Sequence, residues 1–511
     1  MRLFVLSLVL TLASFARADE RTEARLGPNS STTPNLAAAT AVPSKPAANH
    51  GTWLFPGSWV GAYEADSGIT AAPGITRFND AFRQRFRLGA AYKKGDLNAS
   101  LSLSIYDFDG ISMRQVEQRE TVPIALRHAF LAYRSPVGLW RLGATESRWG
   151  LGLVAGGRSA YTPLTHTFDF RTPSDSTAGL TYGLKLGKLT AGLSGAYVLR
   201  DENADVLAGD QAQQGVMLLR YRANPTDWLG MYTAYRRQKD AGDSFLTATL
   251  IDLAGAMEGH AFAADRWRIA FEAAYLFGQT DRVLSERAFA QGASAMQLSG
   301  FGGAAILGFE TMNRRLGLEL EAGYASADRN PEDSELTRFT FDQNYGVGMI
   351  LIPALLRHSH EASVAKAGDS SRVGQPQQGL ERLKSEGRVA GTTYLNPRVS
   401  YRLRQGKRQT GMHLGLIVAA LPDGSADPYM SFRAGEPTNA FGAPSDKMLG
   451  YEVNLGLTWS AKLQRRYALR LSLEGAAAQA GAALLAADST AEPILALRTG
   501  FALRAAEQEA R

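Results

Sequence analysis

The chain has 511 residues, a formal net charge of +6, 20% charged residues and no cysteine. That length is too great for one ordinary soluble domain and suits a large barrel with long loops. The missing cysteines exclude a disulfide framework and thiolate metal sites, and a mean hydropathy of −0.17 is too polar for a bundle of membrane helices.

The first residues read as an export signal over 1–18. Arg2 supplies the positive end, Leu3 to Phe15 is apolar, and Ala16-Arg17-Ala18 is a small-x-small cleavage site, so the mature chain is expected to begin at Asp19. The apolar run is too short to span as a helix, and the nearest later stretch, Gly346 to Leu356, is interrupted by Pro353. No cysteine follows the signal, which excludes a lipid-anchored lipoprotein. Residues 19–52 are rich in Ala, Ser, Thr, Pro and Asn and are predicted to be a disordered lead-in. Export without a spanning helix leaves the periplasm, secretion or an outer-membrane barrel.

From residue 56 onward the chain alternates with period two. Phe82, Phe86, Leu88, Ala90 and Tyr92 interleave with Arg83, Arg85, Arg87 and Lys93, then turn through Lys94-Gly95 into Leu97, Ala99, Leu101, Leu103 and Ile105. Leu180, Tyr182, Leu184 and Leu186 turn through Gly187-Lys188 into Leu189, Ala191, Leu193 and Tyr197. Met217, Leu219 and Tyr221 lead through Asn224-Pro225 to Leu229, Met231 and Tyr235. The same pattern runs through Trp267 to Phe277, Leu316 to Tyr324, Val399 to Val418, Leu449 to Leu473 and Leu495 to Leu503. It makes about 18 strands, each long enough to cross a bilayer at a tilt.

Short turns near 94, 136, 187, 225, 264, 313, 406 and 463 alternate strictly with long loops near 66–78, 108–123, 148–176, 200–213, 238–244, 278–297, 327–393, 421–447 and 477–491. A soluble sandwich has no reason to sort loop length by end, whereas an outer-membrane barrel does. The predicted fold class is therefore all-β: a transmembrane antiparallel up-and-down barrel over 53–505, with both termini in the periplasm and a charged tail at 506–511. Tyr92, Trp140, Trp228, Trp267, Trp459 and Tyr467 sit beside short turns and are predicted to form an aromatic girdle.

With the apolar set facing lipid, the other set lines the pore. The expected pore-lining, solute-contacting residues are Arg83, Arg85, Arg87, Arg141, Lys185, Arg268, Arg398, Arg402, Arg404 and Arg470, with Lys93, Arg498 and Arg504 on the same face. The inward acids are fewer: Glu272, Glu319, Glu321, Glu452 and Glu474. Two readings follow. Surplus guanidinium concentrates and grips anions, or arginine and glutamate on neighbouring strands neutralise each other as a ladder. The run at 83, 85 and 87 has no acid interleaved. The long loop at 327–393 carries the apolar run Tyr345 to Leu356, which either folds inward as a constriction or lies on the rim as a short helix.

Several motifs lack the setting their chemistry needs. Gly150-Leu151-Gly152-Leu153-Val154-Ala155 matches a dinucleotide fingerprint but lacks its βαβ setting. His358, His360 and Glu361 lack a helix-borne metal spacing, and Asp107-Phe108-Asp109-Gly110 lacks the rest of a calcium loop, leaving Ca²⁺ at Asp107 and Asp109 open. No metal or cofactor is expected, and nucleic-acid modules are absent. A membrane-embedded hydrolase would need a lipid-facing Ser/His pair on adjacent strands, and His128 and His413 have no obvious partner in the sequence.

Arg141-Leu142-Gly143 running into Ser147-Arg148-Trp149-Gly150-Leu151-Gly152, the segment Phe341-Asp342-Gln343-Asn344-Tyr345 and the arginine-rich inner face resemble the alginate-export group of outer-membrane proteins and the uncharacterised large barrels near it. The resemblance implies a monomeric 18-stranded barrel, with Arg83, Arg85, Arg87 and Arg141 as candidate contacts to an acidic polysaccharide. The expectation is a porin-like channel or exporter for anionic or sugar-like solutes in the cell outer membrane, surrounded by lipid. It is not an enzyme. The alternative is a closed barrel whose long outer loops bind a surface partner or polysaccharide.

Overall fold

The structure is a computed structural model that describes residues 51–67, 80–106, 124–156, 175–201, 204–260, 265–284, 286–311, 313–328, 330, 333–367, 385–405, 408–463, 467–487 and 489–505. The export signal, the lead-in up to residue 50, Asp107, Asp109 and the tail at 506–511 lie outside the described residues.

Alternation becomes strand wherever two neighbours can share a ladder. The strands are β1 (Thr52–Leu54), β2 (Gly57–Asp66), β3 (Asp80–Lys94), β4 (Leu97–Tyr106), β5 (Ile124–Ser135), β6 (Gly138–Glu146), β7 (Ser176–Leu186), β8 (Leu189–Arg200), β9 (Gln211–Arg222), β10 (Trp228–Lys239), β11 (Phe245–Gly259), β12 (Arg266–Thr280), β13 (Met296–Thr311), β14 (Leu316–Ala325), β15 (Glu335–Leu336), β16 (Thr393–Gln405), β17 (Arg408–Ala420), β18 (Met448–Leu463), β19 (Tyr467–Ala480) and β20 (Ile494–Ala505). β1 continues β2 past Pro56 along the edge of β3, and the two-residue β15 lies parallel to β13. The other 18 of the 20 strands run antiparallel, each to the next, with β14 pairing directly to β16. β2 pairs with β20, Ser58 opposite Arg504 and Asp66 opposite Ala496, so the sheet closes into a barrel. Closure satisfies every edge, which a strand in hydrocarbon requires.

The two faces separate as the pleat demands. Leu142 is 60% exposed while its neighbour Arg141 is 6% exposed. Leu193, Leu253, Leu307, Leu414 and Leu455 likewise look outward, while Asp252, Glu272, Glu319, Glu321 and Glu452 are buried inside. A contiguous apolar exterior of this size suits a lipid environment and would not stay monomeric in water.

Short turns, such as the two-residue connections at 95–96, 136–137 and 187–188, gather at one end, and long loops, residues 326–392 the longest, at the other. Trp140 packs on Tyr182 at 4.5 Å and Trp53 on Tyr92 at 4.9 Å near the turn end. Trp228 departs from the predicted girdle. It alternates with outward Leu229, so it points inward and is buried against Trp149 and Arg220. His128 also departs from expectation, since it meets Ser100 at 2.9 Å on the neighbouring strand, inside the wall and not on its lipid face.

Candidate functional site

The barrel interior is occupied by two loops that fold in from the loop end. The first follows β6. Trp149, Leu151 and Leu153 are buried there, and Leu151, Gly152 and Leu153 donate three successive backbone N–H groups to the wall carboxylate of Glu272, the last two at 2.9 and 3.1 Å. Such a nest of amides is a natural anion receptor. Gly150 takes a φ of 54°, and a Cβ there would overlap the Glu272 carboxylate. The glycines that imitate a nucleotide fingerprint thus serve the protein's own glutamate.

The second is the long loop. Tyr345 to Leu356 folds inward, and Tyr345, Val347, Ile350, Leu351, Ile352 and Leu356 are fully buried. The segment Leu351–Leu356 is helical, continuing into the helix Arg357–Ala367, so the run is both inward and helical. Its anchor repeats the first. Met349, Ile350 and Leu351 donate to Glu452 at 2.6, 3.0 and 2.7 Å, and Gly348 at φ 73° leaves room for the same carboxylate. The two loops also hold each other: Asp342 donates its N–H to the carbonyl of Leu153 at 2.6 Å and accepts from Gly156 at 3.2 Å. The two short segments that carried the family resemblance therefore meet in space. Between this loop and the wall, beside His413, Asn454 and Glu474, a void measures 20 Å³, about the room one water needs.

The wall beneath carries the charges. Glu319 pairs with both Arg268 and Arg398, and Arg398 reaches Glu321 at 2.8 Å. Tyr345 and Tyr394 each donate to Glu321 at 2.8 Å, which ties the ladder to the long loop. Arg402 pairs with Glu310 at 3.1 Å, and Arg498 with Glu64 at 2.7 Å and Glu474 at 3.5 Å. Among the expected contact residues, then, Arg268, Arg398 and Arg402 belong to an electrostatic ladder. Arg141 is buried with its guanidinium over Phe130 at 4.6 Å, Arg85, Arg87 and Arg470 are half-buried, and Lys185 is exposed near the turn end. The side chains of Arg83 and Arg404 lie outside the described residues.

On β3 to β6 the balance differs. Arg127 grips Glu146 through two bonds of 2.8 and 2.6 Å, and Arg148 reaches the same carboxylate at 3.1 Å. Arg87 also lies within electrostatic reach of Glu146, and Arg141 within reach of His128 beside it. Sequence reading missed Arg127, Arg148 and Arg220. A register shift between Ser102 and Leu103 breaks the count across β5, Arg148 stands in a loop, and Arg220 alternates with Leu219 and Tyr221 and could have been found by the same rule.

No family model and no curated relative matches the chain. Solved structures do resemble it. A BenF-like porin from Pseudomonas fluorescens Pf-5 is 10% identical, with 88% of this chain and 98% of that one covered and a TM-score of 0.49. OprD of Pseudomonas aeruginosa is 12% identical, covering 88% and 93%, at 0.48. OccK2 (OpdF) of Pseudomonas aeruginosa, solved in complex with glucuronate, is 11% identical, covering 90% and 100%, at 0.47. At these identities the likeness concerns the course of the chain and not its chemistry, and the barrel is read from its own strand pairing.

Proposed function

We propose that the chain is an outer-membrane channel of the porin type that admits small anionic or sugar-like solutes, working as a monomer with lipid on every side of its wall. One observation supports the reading: on the wall of β3 to β6, Arg127 and Arg148 bond the single carboxylate of Glu146, Arg87 lies within its electrostatic reach, and Arg141 stands near the adjoining His128. Surplus fixed positive charge in a low-dielectric channel raises the local concentration of anions, and guanidinium holds carboxylate or phosphate through two bonds. Arg85, Arg87, Arg141, Arg470 and Lys185, with Arg83 and Arg404, are the proposed solute contacts, while Arg268, Arg398 and Arg402 set the wall. An acidic polysaccharide, as in the alginate exporters, is the larger member of the same chemical class and needs a wider path past the two loops.

Purified protein in a planar bilayer is expected to give discrete conductance steps with anion preference. Cation preference refutes the arginine reading, and no conductance refutes an open pore. A second reading, the closed scaffold, draws support from the packed loops. Deleting residues 345–390 separates the two, since conductance rises if the loop only obstructs, and surface binding disappears if the loop is the working part.

A further inference from the structure

We propose that the short-turn rim of the barrel, from β13 round to β4, is a docking surface for the anionic headgroups of phospholipids in the leaflet around it. The surface rests on the barrel lying in lipid and not on the channel reading, because lipid retention is measured without conduction.

Strand order makes the surface continuous. The turns β13–β14, β16–β17 and β18–β19 are neighbours on the rim, and past β20 and β2 comes the turn β3–β4. These turns and the strand ends beside them carry Arg314, Arg315, Arg408, Lys462, Lys93 and Lys94, all exposed. Among the described residues none of the six stands in an ion pair. Exposed bases on the loops meet acids instead: Lys239 pairs with Asp243 and Arg357 with Glu361, each at 2.7 Å. Along the rim, Glu310 is taken by Arg402 at 3.1 Å and Asp265 accepts from Thr311 at 2.6 Å. Among the described residues of the arc this leaves Asp96 as the exposed acid against six bases.

Register places these charges at the depth of headgroups. Lys94 has the outward parity of Leu88, and Arg408 that of Met412 and Leu414, and all three apolar residues are exposed on the lipid face. Aromatic rings stand just inside them. Trp53 lies opposite Tyr92 in the ladder, and the exposed Tyr401 lies opposite Leu316 and Met412. Amphipathic rings settle where hydrocarbon meets headgroups, so bases one or two residues beyond them stand among the phosphates. Long basic side chains reach that layer over an apolar stem. Six charges spread over four turns are too dispersed to converge on one soluble ion, and they suit a layer of separate anions. The lipid-face parity of Lys94 and Arg408 favours that layer over an acidic protein, which would meet the rim from the water.

The full-length protein is placed in bilayer discs of equal phosphatidylglycerol and phosphatidylcholine, transferred to detergent, and the lipids still bound are counted by native mass spectrometry. Phosphatidylglycerol is expected to be retained about tenfold over phosphatidylcholine. The preference should shrink as salt rises from about 0.05 to about 0.5 M. Lys94→Gln together with Arg408→Gln is expected to lower it about fivefold, while the barrel still migrates differently before and after boiling. Lys239→Gln, on a loop, should leave it unchanged. Equal retention of the two lipids by the parent overturns the proposal, and this measurement needs no variant. It is also overturned if the folded double variant keeps the full preference, if Lys239→Gln lowers it as much, or if free phosphate at about 50 mM abolishes it at constant ionic strength. Unchanged lipid preference with loss of polyglutamate binding in the double variant overturns it in favour of an acidic chain.

Discussion

Replacing Glu452 with Gln asks whether the wall holds the long loop in place. Glu452 is fully buried and accepts the N–H groups of Met349, Ile350 and Leu351. A bond to a carboxylate contributes about 1.5–3 kcal/mol against about 1 kcal/mol for a neutral acceptor. Glutamine keeps one acceptor oxygen and turns an NH₂ donor towards donors, so the gross loss is roughly 3 kcal/mol over the nest. Relief of carboxylate desolvation offsets part of it and leaves about 2 kcal/mol. That corresponds to about a thirtyfold shift towards the undocked loop. The loop should not leave altogether, because Ile350, Leu351, Ile352 and Leu356 are fully buried and each contributes about 2 kcal/mol. Hydrogen exchange followed by mass spectrometry reads the effect directly: the amides at 349–351 should exchange about thirtyfold faster in Glu452→Gln while β18 and β19 stay protected. Unchanged exchange at these amides would show that the nest does not hold the loop. Equal acceleration throughout the barrel would show that the glutamate serves the wall instead.

Further outcomes follow from the same geometry. Glu319→Gln removes the carboxylate that Arg268 and Arg398 share, leaving Arg398 with Glu321, and should destabilise the barrel by about 3 kcal/mol, seen as a lower urea midpoint with unchanged slope. Arg141→Gln should lower the anion-to-cation permeability ratio in planar bilayers, since it removes a buried positive charge from the inner face; an unchanged ratio removes Arg141 from the solute path. Asp328 has a carboxyl pushed up to about 6 by burial and then by Asp333. The stability it adds is complete below its unfolded value and is lost as pH rises through about 6, so Asp328→Asn should stabilise the protein at pH 7.5 and not at pH 4, a comparison made by urea unfolding at the two pH values.

Strand direction, the two faces and the sorting of short turns from long loops were legible in the residues because they are local. A pleat sends neighbours to opposite sides whatever lies across the sheet, so Leu142 and Arg141 declare their faces without a partner. Trp228 shows where a second cue misled: its place beside a turn suggested a girdle, while the period of its own strand put it inside. The site was less legible. Which arginines are spent on carboxylates depends on strand neighbours far apart in the chain, as with Arg398 and Glu319, and no spacing rule reaches across a loop of that length. The anchoring of the loops depends on two wall glutamates that meet backbone amides, and a backbone amide carries no residue type to read. The sequence by itself determined a closed, greasy-walled barrel and a basic interior, because alternation and composition act residue by residue. Only the tertiary structure decided that two loops fill that interior and which charges face each other within it, because the loop anchors join segments more than a hundred residues apart and the ladder from Arg268 to Glu319 and Arg398 joins segments 51 and 79 apart.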